Sequence, residues 1–90
     1  MSNSQKRLPP QAIDAEKAVL GCMLINANSI SAVLQHLTPQ SFYQKDHNLI
    51  FDTMINLYEK SIPIDSVNLI EELKKNKNLK SVGGAYYITG

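Results

Sequence analysis

Cys22, His36, His47 and a scatter of carboxylates are the side chains of this 90-residue chain whose types could carry chemistry. Zinc sites draw His and Cys ligands from short, repeated spacings. Cys22, His36 and His47 are too scattered for that pattern, so no metal site is expected. A phosphate-cradling loop needs closely spaced glycines, then Lys and Ser or Thr at a helix start. The glycines are Gly21, Gly83, Gly84 and Gly90, and none opens such a run. The sequence therefore holds no Walker-type site, and the expected catalytic, cofactor-binding and metal residues are none.

Three residues need individual readings. His47 falls in the first turn of a predicted helix, on the face of Met54 and Tyr58, as expected of a half-buried, hydrogen-bonded histidine at a packing seam. Cys22 lies on a face of small residues and reads as a core thiol. Glu16 is less ordinary, because its carboxylate interrupts an apolar face between Ile13 and Met23. The simplest account is local: first-turn acids meet free amide donors and the favourable end of the helix dipole. The alternative is a salt bridge to a partner or to a neighbouring helix. With no second acid in register, Glu16 is a poor catalytic candidate.

Lys74, Lys75, Lys77 and Lys80 form the only basic cluster. Cations suit a helix C-terminus, and such runs are usually solvated surface. Nine basic and eight acidic residues leave a net charge of +1, so no overall field draws the chain to nucleic acid or anionic lipid. A helix-turn-helix reader is disfavoured, since the predicted fourth helix begins at Asp65 and carries Glu71 and Glu72. The 43% hydrophobic content is that of a globular chain, and the single cysteine excludes an internal disulfide. No apolar run reaches the roughly 18 residues of a membrane span, and a soluble, cytoplasmic protein is expected.

The elements that must hold these residues are helical. Pro9-Pro10 stops backward extension, so residues 1–8 read as a flexible leader and 9–90 as one helical domain. A first helix from about Ile13 to Leu24 has a large face (Ile13, Leu20, Met23, Leu24) and a small face (Ala15, Ala18, Cys22) beside Gly21. Its only clearly polar strip is Asp14 and Lys17, which makes it the expected central helix. Asn28 can cap a second helix with Ile30, Val33, Leu34 and Leu37 as its stripe. Thr38-Pro39 ends it and starts a short turn carrying Phe42 and Tyr43. A third helix, about Asp46 to Glu59, points Ile50, Phe51, Met54, Leu57 and Tyr58 inward and leaves Leu49 on the polar side. Asp65 caps a fourth, with Val67, Leu69, Ile70 and Leu73 inward. Residues 78–82 read as a loop, and Ala85 to Ile88 as the start of a fifth helix, cut short at the C-terminal end. No stretch alternates like a strand. The expected class is all-α, a small orthogonal bundle of four to five helices.

The segment Leu8 to Gly21, with its Pro9-Pro10, Ile13-Asp14-Ala15-Glu16 and Val19-Leu20-Gly21, resembles the opening of the N-terminal domain of bacterial replicative DNA helicases of the DnaB type. Phe42-Tyr43, then His47 with Ile50-Phe51, then Pro63-Ile64-Asp65 and Val82-Gly83-Gly84 follow in the same order as in that family. Cys22 departs from it, standing where a smaller residue is common. The resemblance implies the N-terminal collar of a ring-shaped hexamer, a trimer of dimers that receives a DnaG-type primase and takes part in contacts with a helicase loader. It also implies a RecA-like motor further along the chain, using ATP and magnesium to move 5′ to 3′ on single-stranded DNA near the nucleoid. These 90 residues would then be a docking module without enzymatic activity. Glu16, Tyr86, Tyr87 and Ile88 are the candidates for partner contact or self-association. A free-standing helical adaptor and a small DNA-binding regulator are the alternatives.

Overall fold

The computed structural model describes residues 12–84. They form α1 (Ile13–Ile25), α2 (Ser29–His36), a 3-10 turn at Pro39–Ser41, α3 (Lys45–Glu59), α4 (Ser66–Lys75) and a second 3-10 turn at Lys80–Val82. No strand occurs among the described residues, so the class is all-α as expected. The predicted leader and the predicted start of a fifth helix, Ala85 to Ile88, lie outside them.

Local chemistry explains most boundaries. Asp65 caps α4, its side chain accepting from Asn68 N at 2.8 Å. α3 and α4 both close in Schellman fashion. Ile62 N donates to Leu57 O and Ser61 N to Tyr58 O, while Asn78 N donates to Leu73 O and Lys77 N to Lys74 O. The left-handed residues of these two caps are Ser61 (φ 59°) and Lys77 (φ 62°), not glycines. After the second 3-10 turn the same job falls to Gly83 (φ 94°), so the expected loop over residues 78–82 contains a 3-10 turn at Lys80–Val82. Asn28 does not cap α2 with its side chain. Two residues earlier, Asn26 shapes the turn that leads into α2, accepting from Asn28 N through Oδ1 and from the Ser29 hydroxyl through its carbonyl.

The central helix is α3, not α1. α3 buries His47, Ile50, Phe51, Thr53, Met54 and Leu57 and packs against α1, α4 and both 3-10 turns. The Phe42 ring, delivered by the first turn, lies 4.8 Å from that of Phe51 and tilted to it. Leu49, expected on the wet side, packs partly buried against the core. α1 buries only Glu16, Leu20 and Met23, an i, i+4, i+7 stripe facing α3. Its small face is open: Ala15, Ala18 and Cys22 are exposed, and Ile25 is 87% exposed. The Cys22 thiol is thus a surface group rather than a core one. Tyr58 is half-exposed and Val67 is 69% exposed, so neither points inward. Val67 stands two residues before buried Leu69, and residues so spaced on a helix face opposite ways.

Candidate functional site

The most unusual chemistry of the fold gathers around Glu16. Placed by the first turn of α1, its side chain crosses to the junction before α3. Oε2 accepts from Tyr43 N at 2.6 Å. Oε1 accepts from Gln44 N at 3.4 Å and stands 2.7 Å from His47 Nδ1. Glu16 is 0% exposed and His47 1%. The N-cap residue of α3, Gln44, supplies no side-chain cap of its own. A carboxylate from another helix stands there instead, at the positive end of the α3 dipole. Because Oε1 already serves as an acceptor, His47 donates from Nδ1.

This geometry corrects two readings. Glu16 does not act on its own first-turn amides; it reaches residues 27 to 31 positions away. His47 is fully rather than half buried. Every recorded bond of the Glu16 carboxylate points into the chain, so the arrangement clamps two helices together and presents no group to solvent. Of the other contact candidates, Tyr86, Tyr87 and Ile88 lie outside the described residues.

A second polar feature, invisible in the sequence, lies where the end of α3 meets α4. Lys60 Nζ donates to Glu72 Oε2 at 2.7 Å. The Lys60 ammonium holds the Glu72 carboxyl below its ordinary value, against the opposing effect of burial. Beside the pair runs a groove of about 470 Å³, floored by Leu57 and Ile62 and edged by Asn68, Glu71, Lys74 and Lys75. No group of three or more His, Cys, Asp or Glu side chains suited to a metal occurs among the described residues.

Residues 8–90 match the DnaB-like helicase N terminal domain. The chain belongs to that family. It is 39% identical over 83 residues to the replicative DNA helicase DnaB of Rhodothermus marinus, covering 92% of this chain and 9% of that protein. It is 37% identical over 83 residues to the replicative DNA helicase DnaC of Bacillus subtilis, covering 92% of this chain and 18% of that one. A crystal structure of the N-terminal domain of the DnaB helicase from Mycobacterium tuberculosis superposes with a TM-score of 0.85 at 38% identity. That superposition covers 91% of this chain and 57% of the solved one. The chain is thus the size of a small part of the helicases it matches, and what it shares with them is the N-terminal DnaB-like domain. Among the described residues, no helix of this domain is long and apolar enough to cross a membrane.

Proposed function

We propose that this DnaB-like domain is an assembly and docking module, working for a replicative helicase whose ATP- and magnesium-dependent motor unwinds duplex DNA 5′ to 3′ at the replication fork. Self-association into a collar, and contacts with a DnaG-type primase and a helicase loader, belong to the same reading. The observation that carries it is the open face of α1. The helix is apolar on nearly every side, yet Ala15, Ala18, Cys22 and Ile25 face solvent. A helix that is apolar all round is normally buried, and small residues let another backbone approach closely. Tyr86, Tyr87 and Ile88 add apolar side chains that could join the same kind of contact.

Sedimentation over a wide concentration range tests the proposal. The 90-residue chain is expected to form weak, concentration-dependent oligomers. Ile25→Glu should abolish them while leaving the helical circular dichroism and Tm nearly unchanged, because substitutions at open surface sites rarely cost more than about 0.5 kcal/mol. A strictly monomeric chain at high concentration, or oligomers indifferent to Ile25→Glu, would sink the α1 face as the association surface.

A further inference from the structure

We draw no further inference here: the strongest candidate, the open face of α1 that carries Ala15, Ala18, Cys22 and Ile25, belongs to the association surface already proposed, and nothing in the structure shows what else covers it.

Discussion

His47 Nδ1 stands 2.7 Å from Glu16 Oε1, and through that bond the first turn of α3 is tied to the first turn of α1. The same carboxylate also accepts the backbone N–H of Tyr43 and of Gln44, so one side chain satisfies donors on both sides of the α3 N-terminus. Removing an acceptor from buried donors costs more than forming the bond contributed, because the donors are left dry and unpaired.

Glu16→Ala is therefore expected to destabilise the fold by about 3 kcal/mol, and Glu16→Gln by about 2 kcal/mol because its carbonyl still serves one side. Urea unfolding followed by circular dichroism measures both. A loss below about 1 kcal/mol for Glu16→Ala would show that the clamp contributes little.

Ser61 and Lys77 hold left-handed backbone at two helix ends. A residue with a Cβ loses roughly 1–2 kcal/mol there, while glycine gives back about 0.5–1 kcal/mol through the freer unfolded chain. Ser61→Gly and Lys77→Gly should each raise stability by about 0.5 kcal/mol, visible as a small increase in Tm. A fall in Tm for both would contradict the assigned caps.

Glu72 supplies a pH dependence with a definite sign. Its carboxyl titrates lower in the fold than its ordinary value of 4.5, chiefly because Lys60 donates to it. The unfolded chain therefore binds that proton more readily than the folded one. The stabilisation is present above the ordinary value and is lost as pH falls below it. Tm is expected to drop on acidification in this range, and Lys60→Met should flatten the drop. An unchanged acid limb in Lys60→Met would assign the fall to other carboxylates.

Cys22 is exposed in the fold. A thiol-specific reagent should label it in the native chain at nearly the rate found in denaturant. Protection by several orders of magnitude would mean that α1 is covered on that face.

Much of this architecture can be read along the chain, for identifiable reasons. The α2 stripe of Ile30, Val33, Leu34 and Leu37 repeats at helical spacing and does pack against the core. The Asp65 cap closes over three residues, and Pro39 opens the first 3-10 turn, where a missing donor costs nothing. Each effect acts within one or two turns, where residue type and spacing are enough. α1 escapes such reading because its polar strip, Asp14 and Lys17, is narrow: apolar or small residues cover the rest of the helix and carry little sign of which side is covered. The expectation that it sits at the centre followed from that composition, and α3 occupies the place instead.

The amino-acid order alone determined the helical class, the main helix positions and the kinship with DnaB-like domains, since periodicity, caps and motif order are properties of neighbours along the chain. Only the three-dimensional packing decided which helix became the hub, where Cys22 and Val67 point, and what Glu16 holds. The Glu16 partners lie about thirty residues away, and the Lys60–Glu72 pair joins two helices across a turn. Contacts of that range depend on how whole elements dock, and docking is set by the summed burial of many side chains rather than by any local pattern.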